Sequence, residues 1–164
     1  MIKTNAGARN SFARADGDTG PVRFLSLCGM LGYGYAMASL ERALNLPLDF
    51  IGVDAGSTDP GPYYLGSGNG FVKPAQVQRD LEPALCAAVK RRIPLIIGSA
   101  GGAGARPHLD AFVNILLDIA AKNNLHFKLA VIPADLDRKM VQQALAEGQI
   151  SSCGGSGDLS AGAV

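Results

Sequence analysis

Asp54-Ala-Gly-Ser-Thr-Asp59 places two carboxylates, two hydroxyls and a glycine directly after the apolar run Phe50 to Val53. Carboxylates at that spacing can move protons, hold a divalent metal, or cap a turn through Asx hydrogen bonds. Ser57 and Thr58 add hydroxyls that suit an anionic substrate. Two prolines and more glycine follow, with Tyr63 and Tyr64 placed to close over a ligand. A buried strand opening into a loop of glycine, hydroxyl and carboxylate is how α/β proteins commonly build a ligand site.

A second group follows Ile97. In Gly98-Ser-Ala-Gly-Gly-Ala-Gly104 the glycines let backbone N–H groups turn toward an anion. A helix starting near Pro107 would add the partial positive charge of its N-terminus. Gly98, Ser99, Gly101, Gly102 and Gly104 are therefore candidates for anion binding. The spacing matches neither the Walker pattern nor Gly-x-Gly-x-x-Gly. The bland alternative is a flexible strand-to-helix turn. His108, with Asp110 two residues on, is a candidate general base, donor to an anion or metal ligand; its plain alternative is a polar capping residue. The catalytic candidates are Asp54, Asp59 and His108, and the binding candidates add Ser57, Thr58 and Tyr63. His126 reads as structural, and Cys28 as a buried thiol, since no histidine is tied to it by motif.

The elements that position these groups alternate. Strands are expected at Val22 to Leu27, Phe50 to Val53, Pro94 to Ile97 and Phe127 to Ile132. Between them come helices at Ala36 to Leu46, Pro74 to Arg92 and Pro107 to Lys122, and Leu136 to Glu147 follows the last strand. Val77, Leu81, Leu85 and Val89 recur every fourth residue on the second helix, and Leu109, Phe112, Val113, Leu116 and Ile119 share a face of the third. Asp135 is the expected N-cap of the last helix, and Gly148 its stop. This alternation defines an α/β class, Rossmann-like or flavodoxin-like, with a parallel sheet and helices on both faces. Each polar loop follows a strand, so in a parallel sheet they share the carboxyl edge.

The totals narrow the class of partner. At 164 residues the chain suits one domain, expected over 21–150. Net charge is +1, from 15 basic and 14 acidic residues, which is no footprint for nucleic acid or a membrane surface. No apolar run approaches the ~20 residues of a membrane helix. The three cysteines have no metal or disulfide spacing, which points to a reducing, cytoplasmic setting. Residues 1–20 read as a disordered leader. Residues 151–164 lack periodicity and read as a flexible end or a cut through a longer chain.

Taken together, Phe24-Leu-Ser-Leu-Cys-Gly-Met-Leu-Gly-Tyr-Gly34, Asp54 to Gly68, and Ile97 to Gly104 with Pro107-His-Leu-Asp110 resemble the N-terminal part of the acyclic terpene utilisation family. The resemblance runs from about Val22 to about Ile150. It implies an N-terminal fragment, in which any site completed by later residues would be missing, and a place in catabolism that proceeds through acyl-CoA intermediates; a homo-oligomer or the remaining part of the same protein is a candidate partner. It implies no established catalytic residues. The first functional expectation is accordingly a metabolic enzyme for a small anionic substrate, a carboxylate or CoA thioester, with a divalent metal as a candidate cofactor. Asp54-Ala-Gly-Ser-Thr58 also resembles the phosphate loop of sugar kinases and actin-like ATPases, where the loop joins antiparallel strands. That gives phosphoryl transfer as an alternative. A non-catalytic ligand-binding or assembly subunit is the third.

Overall fold

A computed structural model describes residues 20–56, 62–152 and 157–164. Three short strands, β1 (Phe24–Ser26), β2 (Phe50–Asp54) and β3 (Leu95–Gly98), form a parallel sheet in the order β1-β2-β3. Phe24 pairs with Phe50, Ile51 with Leu95, and Asp54 with Gly98. Helix α1 (Met37–Leu44) joins β1 to β2. Helices α2 (Pro62–Ser67) and α3 (Pro74–Arg91) join β2 to β3. Helix α4 (Arg106–Lys122) follows β3, and α5 (Arg138–Ala146) comes last.

The strand alternation sorts the sheet's two faces. Leu25, Ile51, Val53, Leu95 and Ile97 join one apolar cluster with Leu40 of α1, Val77, Leu81 and Leu85 of α3, and Phe112, Leu116 and Ile119 of α4. Ile51, Leu81 and Ile119 are fully buried, and each such side chain contributes about 1.5–3 kcal/mol of transfer free energy. The intervening residues face the other way, where Phe24 is 61% and Ile96 55% exposed. Phe24 and Phe50 stack on that face with ring centroids 5.2 Å apart. Among the described residues, then, the helices cover one face of the sheet rather than both.

Three other expectations change. Phe127 to Ile132 is not a strand: residues 125–137 carry no regular structure, and the sheet ends at β3. The segment is tied at its ends, by Leu125 N–H to the Ala120 carbonyl and by Ala134 N–H to the Gly104 carbonyl, both 2.9 Å. Asp135 does not cap α5. It accepts the Arg106 N–H at 2.9 Å and so caps α4, while Asp137 caps α5 by accepting the Met140 N–H at 3.1 Å. Helix α2 stands where only loop was expected.

Lys122 and Asn123, at the end of α4, reach Glu82 of α3 at 2.9 and 2.8 Å. Hydrogen bonds from both hold the Glu82 carboxyl below its ordinary range. The pair is exposed and contributes little to stability; the apolar side chains of the two helices pack them together.

Candidate functional site

The loops after the three strands are stitched together at the carboxyl edge. Leu31 N–H, in the first loop, donates to the Asp54 carbonyl at 2.8 Å, and Ala55 N–H donates to the Gly98 carbonyl at 2.9 Å. Gly56 lies against the third loop: a Cβ there would land on the Gly102 carbonyl oxygen and stand 2.6 Å from the Ser99 Cβ. Gly101 backs onto α4 in the same way, with its Cβ direction filled by the His108 carbonyl. These two glycines are required by close backbone approach.

The first loop is held by a residue that sequence reasoning missed. Asp80 of α3 is 3% exposed. Its Oδ2 accepts the Gly32 N–H at 2.9 Å and the Gly34 N–H at 2.8 Å, and its Oδ1 accepts from Arg79 Nε at 2.7 Å. A signal was present, since Asp80 falls on the Val77–Leu81–Leu85 stripe, where an acid is out of place unless it is paired. Tyr35 donates its hydroxyl to the Asp80 carbonyl oxygen at 2.6 Å. Burial, then the nearby Asp80 carboxylate, pushes the Tyr35 phenol up from 10.0 to about 12. Burial and Asp80 also raise the Cys28 thiol, which donates to the Met30 carbonyl at 3.2 Å. A raised thiol is a poor nucleophile, in keeping with a structural Cys28.

A pH dependence follows. Tyr35 is neutral in both folded and unfolded chains below about pH 10. Its contribution to stability is complete there and is lost as pH rises through the folded value of about 12. Urea midpoints should therefore fall between those two pH values, and Tyr35→Phe should remove that part of the fall. An unchanged pH profile in Tyr35→Phe would refute the assignment.

Of the proposed catalytic residues, Asp54 ends β2 and is exposed. Its Oδ1 accepts the Gly56 N–H at 3.0 Å, an Asx turn. A side chain at Gly98 would stand 3.8 Å from the same oxygen, so glycine leaves the carboxylate uncovered. His108 is 2% exposed. Its Nε2 lies 2.8 Å from the Tyr64 carbonyl and 3.1 Å from that of Asn69, so Nε2 carries the hydrogen and donates to both. Nδ1 is buried without a hydrogen-bond partner. The histidine thereby ties α2 and the turn after it to the start of α4. Ser57, Thr58 and Asp59 lie outside the described residues.

The Gly98–Gly104 loop spends several of its donors on itself. Gly102 N–H bonds the Ser99 carbonyl at 2.8 Å, and the N–H groups of Ala103 and Gly104 bond that of Ala100. With the Arg106 N–H taken by Asp135, the start of α4 already holds a carboxylate. Tyr63 is 68% exposed and meets Tyr64 edge-on at 5.2 Å; Tyr64 meets Phe71, and Phe71 meets Tyr33. This aromatic rim stands beside the first loop. Among the described residues no group of three or more His, Cys, Asp or Glu side chains could hold a metal ion, and no helix is long and apolar enough to cross a membrane. The chain matches no family model, no curated protein and no solved structure.

Proposed function

We propose that this chain is a cytoplasmic metabolic enzyme of the acyclic terpene utilisation kind, taking a carboxylate or acyl-thioester substrate at the carboxyl edge of a Rossmann-like sheet. The observation that carries the reading is the convergence of three strand-end loops on one edge, with the exposed Asp54 carboxylate between them. The order β1-β2-β3 is that of one Rossmann half, whereas a flavodoxin-like sheet sets its first strand between the second and third. Asp54, with Asp59, is assigned to proton handling or to a divalent metal. His108 acts by position, holding α2, which carries Tyr63 and Tyr64, beside the glycine loop. Anion recognition is assigned to Ser99, Ser57 and Thr58, because the N–H groups of Gly102, Ala103 and Gly104 are already bonded within the loop. Phosphoryl transfer draws no support from topology, since Asp54 ends a strand parallel to both neighbours.

A thermal-shift comparison tests this. A branched short-chain acyl-CoA should stabilise the chain, by about 2.7 kcal/mol at a hundredfold excess over its dissociation constant, and Mg-ATP should not. Asp54→Asn should abolish turnover while the melting temperature stays near wild type. Stabilisation by Mg-ATP alone, or lost stability with turnover retained in Asp54→Asn, would sink the proposal. The uncovered sheet face bearing Phe24, Phe50 and Ile96 favours a second reading, an assembly subunit. Sedimentation would then show an oligomer that Phe24→Lys dissociates.

A further inference from the structure

Where a fourth strand was expected, a cavity of 890 Å³ separates β3 from the segment 126–134. That volume lies within the ~300–1,000 Å³ of small-molecule sites. Its walls are apolar: Leu95 and Ile97 of β3, Leu85 of α3, Phe112 and Leu116 of α4, and Leu129 of the segment. Ser99 and Gly104 of the glycine loop border it, but neither Asp54 nor His108 does, so it is a separate space from the one beside the catalytic candidates.

Two further observations define the occupant. The segment is anchored at both ends, by Leu125 to Ala120 and by Ala134 to Gly104, and no hydrogen bond joins residues 126–133 to β3. A tethered span without a ladder can admit a chain between itself and the sheet. The titratable groups lining the cavity are Arg92, His126 and Lys128, with no carboxylate among them. All three are exposed. An apolar interior with a basic, acid-free rim complements an amphiphile with a linear apolar tail and one anionic head. We infer that this cavity is a binding site for a medium-chain carboxylate, with the tail between β3 and the 126–134 segment and the head at Arg92 and Lys128.

The chain contains no tryptophan, so Leu129→Trp places a single indole in the cavity wall. Decanoate, held below its micelle concentration, should shift the indole emission of that variant to the blue and saturate. Uncharged decanol should bind about ten- to a hundredfold more weakly, since it lacks the charge-assisted hydrogen bonds of the carboxylate. Arg92→Gln with Lys128→Gln should bring decanoate down to the level of decanol. Val113→Phe, or Ala130→Phe on the exposed segment, should narrow the space and weaken the binding. Calorimetry of decanoate with the unsubstituted chain gives the same answer should Leu129→Trp fail to fold. Absence of saturable binding in both formats overturns the proposal, as does an affinity that neither phenylalanine variant weakens. Equal affinity for decanoate and decanol overturns the assignment of the head group.

Discussion

Asp80→Ala is expected to cost about 2–5 kcal/mol, because it removes the buried acceptor of two loop N–H groups. The carboxylate is 3% exposed and accepts three hydrogen bonds. Its loss would leave the Gly32 and Gly34 N–H groups without an acceptor, at about 1–3 kcal/mol for each one that stays buried. A domain of this size has only about 5–15 kcal/mol in total, so the urea midpoint should fall by at least about a tenth of its value. Asp80→Asn keeps an acceptor oxygen and should cost less, about 1–2 kcal/mol. Amide exchange separates a local effect from a global one. In Asp80→Asn the Gly32 and Gly34 amides should exchange faster while those of α4 keep their protection. An Asp80→Ala protein within about 1 kcal/mol of wild type would show that α3 does not hold the first loop through this carboxylate.

Gly101→Ala should be nearly as damaging, at about 3 kcal/mol. Gly101 has φ of +77°, and a side chain in that region costs about 1–2 kcal/mol. The added methyl would also land on the His108 carbonyl, and overpacking of that kind costs about 1–3 kcal/mol. For a chain of this length the melting temperature should fall by about 6–12 °C. Gly66→Ala is the control, because nothing lies within 4 Å of its Cβ direction and it sits inside α2. It should be neutral or slightly stabilising, since alanine is the better helix former. Should Gly101→Ala melt with the control, the glycine loop does not pack on α4. The consequence reaches the candidate site, because the same loop carries the Gly102 carbonyl against which Gly56, two residues after Asp54, is seated.

Much of the helical scaffold was legible because its signals are local. The fourfold spacing of Val77, Leu81 and Leu85 marked α3 to within a residue of its end, and the apolar face of α4 was read with similar accuracy. That the polar loops share the carboxyl edge was also readable, since it needs only alternating strands and helices; their order along that edge was not, because it depends on which strands pair. The fourth strand was not, for a physical reason. The composition of Phe127 to Ile132 shows that the segment is able to pair, but pairing requires a partner edge at ladder distance, and here a cavity intervenes. Helix α2 escaped because Pro-Tyr-Tyr-Leu-Gly-Ser is six residues long and contains a glycine. Its signal is weaker than the turn signals on either side.

Composition and periodicity alone determined the α/β class, the positions of the long helices, and Asp54 as an acid at a strand end. These depend on neighbours within a turn or a strand of each other. What only the tertiary structure decided are partnerships across long stretches of chain. Asp80 meets glycine amides 46 and 48 residues away, Asp135 caps a helix 29 residues upstream, and His108 reaches carbonyls 39 and 44 residues before it. A carboxylate or imidazole carries the same local signature whether it is solvated, capping or buried. Its role is set by which backbone groups the packed helices and loops bring within hydrogen-bond reach.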